Sequence, residues 1–402
     1  MKTIRRKLLG GALATLAVFA FAGCKDKNEG GGKETGGTAT NTVSGDTILI
    51  GEYSSLSGGT STFGENTHAG IQLAVDEINA AGGINGKKIK LITEDDESKA
   101  DKVVAVVQKL ISSDKVVAVI GEVASSRSMM AAPVCQAAKV PMISPSSTNP
   151  EVTKKGDYIF RVCFTDDFQA AVAAHFAYDQ GYRKVAVFKD VKSDYSKAFA
   201  EIFTKEFTKM GGTISGEQSY QEGDQDFKAQ LSNLKAGNPD AMLVPGYYTE
   251  VGTIARQSRE AGIMVPLIGG DGWESEKLVP GAGTALEGSF FTNHYFSRDM
   301  PSPIIQKFVE NYKKSNKGTP PAALGGLAYD AAMVLFAAIK SAKTLDGTGI
   351  RDALAATKDF QGVTGKITID ANRNARKEAV VFQIKGQDFK IFKPYSPEQV
   401  GF

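Results

Sequence analysis

Three short polar runs hold the residues of this chain whose types and spacing could do chemistry: Gly121-Glu122-Val123-Ala124-Ser125-Ser126, Ser144-Pro145-Ser146-Ser147-Thr148 and Gly269-Gly270-Asp271-Gly272. Hydroxyls and free backbone amides in the first two suit an anion such as a carboxylate, through charge-assisted hydrogen bonds of about 1.5–3 kcal/mol each. The carboxylate of Asp271 suits an ammonium. A plainer reading stands beside this one, because Ser and Thr after strands are common helix N-caps and an aspartate between glycines is a common turn residue. The recognition reading rests on the set of three, each placed directly after an apolar run.

Covalent chemistry finds no comparable set. Gly82-Gly83-Ile84-Asn85-Gly86-Lys87-Lys88 resembles a phosphate loop, but its glycine spacing is one short and Lys88 stands where Ser or Thr would hold magnesium. A turn closing a helix explains it. His68, His175 and His294 are far apart and accompanied by no HxxxH, CxxC or EF-hand pattern, so they are expected as surface or packing residues. No GxSxG elbow occurs, and Asp95-Asp96 reads as a helix start rather than an acid/base pair. The expectation is a protein that is not an enzyme and needs no metal and no cofactor.

The elements that must position the three runs are legible from periodicity. From Ile48 onward, short β-rich runs alternate with helices of 3.6 period, which predicts parallel strands joined by right-handed crossovers. Ile48-Leu49-Ile50 is a strand; Ile71, Ala74, Val75 and Ile78 form one helix stripe that stops at Gly82-Gly83; Ile89 to Ile92 is the second strand. Ala100, Val103, Val104, Val107 and Ile111 share the next helix face, followed by a strand at Val116 to Ile120. The scheme repeats with strands at Val185 to Phe188, Ala241 to Val244 and around Leu267, so two similar α/β lobes are expected. Near the end, Lys366 to Asp370, Ala379 to Ile384 and Phe389 to Phe392 read as antiparallel strands. Ligands of open α/β sheets bind beyond the carboxyl ends of strands, which is where the polar runs fall. One ligand bearing both a carboxylate and an ammonium is an amino acid.

Composition excludes other classes. With 47 basic and 45 acidic residues, net charge +2, the chain has no polyanion-binding balance and no nucleic-acid partner is expected. At the front, Lys2, Arg5, Arg6 and Lys7 precede an uncharged run from Leu8 to Ala22 and then Gly23-Cys24, which reads as an export signal. Residues 25–46, mostly charged residues, Gly, Thr and Ser, read as a flexible tether. The chain left after the signal is longer than one hydrophobic core usually serves. Of the other cysteines, Cys135 lies in a helical pattern and Cys163 in a strand pattern; two buried thiols are favoured over a disulfide.

The front segment resembles a bacterial lipoprotein signal, with Phe21 where an aliphatic residue is usual. That resemblance implies cleavage after residue 23 and acylation of Cys24, leaving the protein in the cell envelope, lipid-anchored and facing the periplasm or exterior. Thr67-His68-Ala69-Gly70, Asp76-Glu77-Ile78-Asn79, Gly82 to Gly86, Glu94-Asp95-Asp96, Met142 to Thr148 and Ala255 to Gly262 resemble the branched-chain amino acid (leucine/isoleucine/valine)-binding proteins. The resemblance covers Asp46 to about Phe392. It implies a type I periplasmic binding protein: two Rossmann-like lobes, parallel sheets flanked by helices, joined by three crossovers and closing on a ligand. The implied lobes are 47–165 plus 294–365 and 166–293 plus 366–402, after a signal at 1–23 and a tether at 24–46. A monomer delivering an amino acid to an ABC transporter permease is the implied role; a component presenting an amino acid or amide to a membrane receptor is the alternative.

Carried over by position, Ser125 and Thr148 hold the α-carboxylate, the Ser146 carbonyl and Thr148 hydroxyl take part of the ammonium, and Asp271 stands at the acidic partner of that ammonium. Phe63, Tyr195 and Tyr247 fall at aromatic wall positions, and Leu324 falls where another aromatic is usual. Ser126 and Ser147, in the same polar runs, complete the candidate site. Two departures stand out: Ser98 and Ala124 replace a disulfide of reference members, and Asp271 is one methylene shorter than the usual Glu.

Overall fold

The computed structural model describes residues 41, 43, 45–294 and 302–402. The expected signal, Cys24 and most of the expected tether lie outside the described residues. Where the tether's end is described, it is docked: the Asn41 side chain donates to Ile111 O (2.7 Å) and Val116 O (3.0 Å), and Val43 N–H to Leu345 O (3.0 Å).

Five strands form the first sheet: β1 (Thr47–Ser54), β2 (Lys88–Asp95), β3 (Ala118–Ile120), β4 (Met142–Ser144) and β5 (Ile159–Arg161). All pair in parallel, in the order β2-β1-β3-β4-β5. Helices α1 (Ser61–Ala80), α2 (Ala100–Gln108), α3 (Ser125–Ala138) and α4 (Glu151–Lys154) connect them. The predicted stripe of α1 buries Ile71, Ala74 and Val75 with Ile48 and Ile50 of β1. That helix stops where glycine is required: Gly83 has φ +84°, and a Cβ there would lie 2.1 Å from Lys87 O. The opposite face of the sheet packs Val103 and Val107 of α2 against Val119 and Cys135.

The second sheet repeats the plan. After α5 (Asp166–Asp179) come β6 (Lys184–Asp190), α6 (Asp194–Lys209), β7 (Thr213–Tyr220), α7 (Lys228–Ala236), β8 (Ala241–Leu243), α8 (Tyr248–Glu260), β9 (Leu267–Gly269), α9 (Leu278–Ala282) and β10 (Phe290–His294). Its parallel part runs β7-β6-β8-β9-β10, the same order as the first sheet. The chain then returns to the first lobe as α10 (Pro303–Ser315), α11 (Ala323–Ser341), α12 (Gly347–Ala355) and the small hairpin β11 (Phe360–Gly362) and β12 (Gly365–Ile367). It ends in the second with β13 (Ala379–Lys385) and β14 (Asp388–Tyr395), antiparallel and joined to β10. Helix α11 is apolar enough to span a membrane by length and composition, but it packs along α1 and buries most of its surface in the first lobe's core.

Two expectations about the lobes need adjusting. His294 belongs to the second sheet, so the second crossing follows it. The third comes after Ala375 rather than at 366, because Ile367, Ile369 and Ala375 are buried with the first lobe's core. Of the three late strands, the first accordingly pairs with β11 and only the other two join the second sheet. Cys135 and Cys163 are free and buried in different hydrophobic clusters, and burial pushes each thiol up to about 12.

Candidate functional site

The polar runs meet across the gap between the two sheets. Beyond β3 and β4 in the first lobe, and beyond β8 and β9 in the second, Val123, Ser125, Ser146, Thr148 and Leu324 face Tyr195, Tyr247, Asp271 and Gly272 around one small cavity of about 10 Å³. Seven of the nominated residues are thus brought together, and Phe63, Ser126 and Ser147 are not among the lining. Phe63 is buried one layer back, edge-on to Tyr247 at 5.5 Å. Ser147 holds the wall from behind, its Oγ bonding Glu122 O (2.7 Å), Val123 O (3.0 Å) and Ser128 Oγ (2.7 Å). The Ser126 hydroxyl turns to the other lobe, accepting Asp194 N–H at 2.9 Å.

Geometry separates capping from recognition at these hydroxyls. Ser125 is the first residue of α3, whose N-cap position is Ala124 with no side-chain cap. Its Oγ accepts Asn149 N–H at 3.1 Å and lines the cavity. Ser146 Oγ is buried and has no hydrogen-bond partner among the described residues. The 14-residue α3 directs its N-terminal amides at this end, which favours negative charge there.

The opposite end is acidic and tightly built. Asp271 is buried; its Oδ1 accepts from Gln169 Nε2 at 3.0 Å, and its Oδ2 lies 3.1 Å from His294 Nε2. Burial holds His294 below its ordinary value against the pull of Asp271, so the ring is neutral at pH 7; it stacks on Phe164 with centroids 4.0 Å apart. Behind them Asp166 bonds the same Gln169 at 2.7 Å, and burial followed by the charge of Asp271 pushes its carboxyl well above the usual range. The glycines around Asp271 are there for close approach, since neither has a positive φ. A Cβ on Gly270 would lie 2.3 Å from Tyr195 Oη, and one on Gly272 would lie 2.8 Å from Gly246 O. That favours a packed site over a simple turn.

Sequence reasoning missed Val123 and Gly272 in the lining, and Asp166, Gln169 and His294 behind it. Val123 and Gly272 sat in nominated runs, whereas Asp166 and Gln169 lie in the first turn of α5 after the mostly apolar Val162-Cys163-Phe164-Thr165, so no polar run marked them. His294 gave no signal either: expected as a surface or packing residue, it is buried against Phe164 and in addition partners Asp271. Asp95-Asp96 also differs from expectation. Helix α2 begins only at Ala100, and the two carboxylates instead anchor the loop after β1: Asp95 accepts Leu56 and Ser57 N–H, and Asp96 accepts the Ser55 hydroxyl at 2.8 Å. Among the described residues no cluster of His, Cys, Asp or Glu is placed to hold a metal ion.

Comparison with known proteins agrees with this geometry. Residues 47–388 match the family model described as periplasmic binding protein. A leucine-, isoleucine-, valine-, threonine- and alanine-binding protein of Pseudomonas aeruginosa is 31% identical over 89% of this chain and 92% of its own. The leucine-binding protein LivK of Thermotoga maritima superposes with a TM-score of 0.84 at 38% identity, covering 88% of this chain and 99% of that one. LivJ of Streptococcus pneumoniae, solved with isoleucine, gives 0.80 at 36% identity over 87% and 100%. The chain is a type I periplasmic binding protein, a solute-binding protein of an extracytoplasmic compartment. Within that class it belongs to the leucine/isoleucine/valine-binding family.

Proposed function

We propose that this protein captures an aliphatic amino acid, branched-chain or similar, between its lobes and delivers it to the permease of an ABC importer, held to the membrane by a lipid on Cys24. The observation that carries the reading is the two-ended cavity. The hydroxyls of Ser125, Ser146 and Thr148 and the start of α3 line it from the first lobe and Asp271 from the second, with Val123, Leu324 and Tyr247 also in the lining. A buried zwitterion is expensive unless each charge is matched, and here each charge has a partner. The apolar members of the lining, Val123 and Leu324, suit an aliphatic side chain. Relatives named for leucine, isoleucine and valine, and a relative holding isoleucine, support the same choice.

Binding acts through closure. A solute bridging both lobes stabilises the closed arrangement by contacts that only this arrangement makes. The test is thermal unfolding of protein freed of co-purified solute against amino acids, amides and aromatic acids. Ligand at 100 times its dissociation constant adds about 2.7 kcal/mol. A shift with leucine, isoleucine or valine is expected; no shift with any α-amino acid would overturn the reading.

A further inference from the structure

Several residues next in sequence to the cavity lining bond lobe to lobe instead of facing the cavity. Ser125 and Tyr195 line it, and their neighbours Ser126 and Asp194 meet across the gap: Asp194 N–H donates to Ser126 Oγ at 2.9 Å. Asn149 Nδ2 donates to Asp194 O at 2.9 Å, so both backbone groups of Asp194 are gripped by the first lobe. On the other flank Tyr247 lines the cavity while its neighbour Tyr248 reaches over. Its hydroxyl donates to Gly59 O at 3.0 Å and accepts Thr62 N–H at 3.3 Å, and its ring packs edge-on to Phe63 at 5.1 Å. None of Ser126, Asn149 or Tyr248 lines the cavity.

We propose that Ser126, Asn149 and Tyr248 form a latch that sets how tightly any captured solute is held, independently of which solute it is. The proposal rests on the solute-capture reading and goes beyond it by separating residues that choose the solute from residues that hold the lobes shut. Each latch bond is exchanged for water when the lobes part, so its contribution falls wholly on the closed state. It therefore scales every dissociation constant by one factor and acts through the dissociation rate.

The test uses Ser126→Ala and Tyr248→Phe, because Asn149 also accepts Glu151 N–H at 2.8 Å and its loss would disturb α4. Wild type and both variants are titrated with L-leucine, L-isoleucine, L-valine and L-alanine, with stopped-flow rates and the melting temperature of the solute-free protein. Each variant is expected to bind all four roughly three- to tenfold more weakly, by the same factor. Dissociation speeds up accordingly, and the solute-free melting temperature stays at the wild-type value. Factors that differ between solutes would make the residue a solute contact and overturn the latch. So would unchanged affinity, or a solute-free melting temperature that falls with the affinity. A wild type that binds none of the four would remove the capture reading itself, an outcome read before any variant is compared.

Discussion

Asp271 is fixed from two sides before any ligand arrives, by Gln169 on one oxygen and His294 on the other. So positioned, the carboxylate would lose little freedom on pairing with an ammonium. Replacing Asp271 by Asn keeps the volume and removes the charge that matches the ammonium. The expected loss in leucine affinity is about 2–5 kcal/mol, at least roughly thirtyfold, measured by calorimetric titration. Ser147 makes the contrasting case. Its hydroxyl joins three partners in the wall and none in the cavity, so Ser147→Ala is expected to lower unfolding stability by about 1–3 kcal/mol in a denaturant titration. A stable variant that loses only affinity would reassign Ser147 to the solute. The family-position argument named Ser125, Thr148, Tyr195, Tyr247 and Asp271 because strand ends are fixed by the sheet. Ser126 and Ser147 were nominated from the polar runs instead, where adjacent residues carry the same sequence signal but point in different directions.

Among the elements, the loops after β1, β2 and β3 are held together by a buried acidic cluster that replaces any cross-link between them. The Ser55 hydroxyl lies 2.8 Å from Asp96 Oδ1 and 2.5 Å from Glu122 Oε1, yet a hydroxyl has one proton to donate, so one carboxyl must carry a proton of its own. Burial, with the charge of Glu122 added, raises Asp96 to about 7. Arg127 completes the cluster, its Nε 3.0 Å from Glu122 and its other nitrogens donating to Thr60 Oγ1 (2.6 Å) and Ser98 O (3.1 Å). For an aspartate whose folded value is raised, the folded state binds more protons than the unfolded state between the two values. Its contribution to stability is therefore present at low pH and is lost as pH rises from about 4 to about 7. Unfolding free energy measured from pH 5 to pH 8 is expected to fall over the lower part of that range, and Asp96→Asn to flatten the fall. Equal slopes in both proteins would contradict the assignment. The elements themselves were legible where periodicity was strong, as in α1 and β1. Strand β7 was not, because its sequence Thr-Ile-Ser-Gly-Glu-Gln-Ser-Tyr is polar on both faces at a sheet edge. The third crossing was missed because alternation marks a strand without saying which sheet receives it.

For the whole molecule, two sheets of the same strand order put the carboxyl ends of their strands around one cavity. The lobes meet there through cavity-lining residues and through bonds such as Ala323 N–H to Glu274 Oε1 at 2.8 Å, at the start of α11. Burial raises that carboxyl to about 7. Small-angle scattering is expected to give a smaller radius of gyration with leucine than in solute-free protein, and equal radii would argue against closure. The central claim is that a single solute is held by both of its charged ends. Its most direct test is calorimetric titration of solute-free protein with L-leucine, with 4-methylpentanoate, which lacks the ammonium, and with 3-methylbutylamine, which lacks the carboxylate. Leucine is expected to bind at micromolar affinity or tighter and each analogue at least roughly a hundredfold more weakly, about 2.7 kcal/mol. Either analogue binding as tightly as leucine would contradict it.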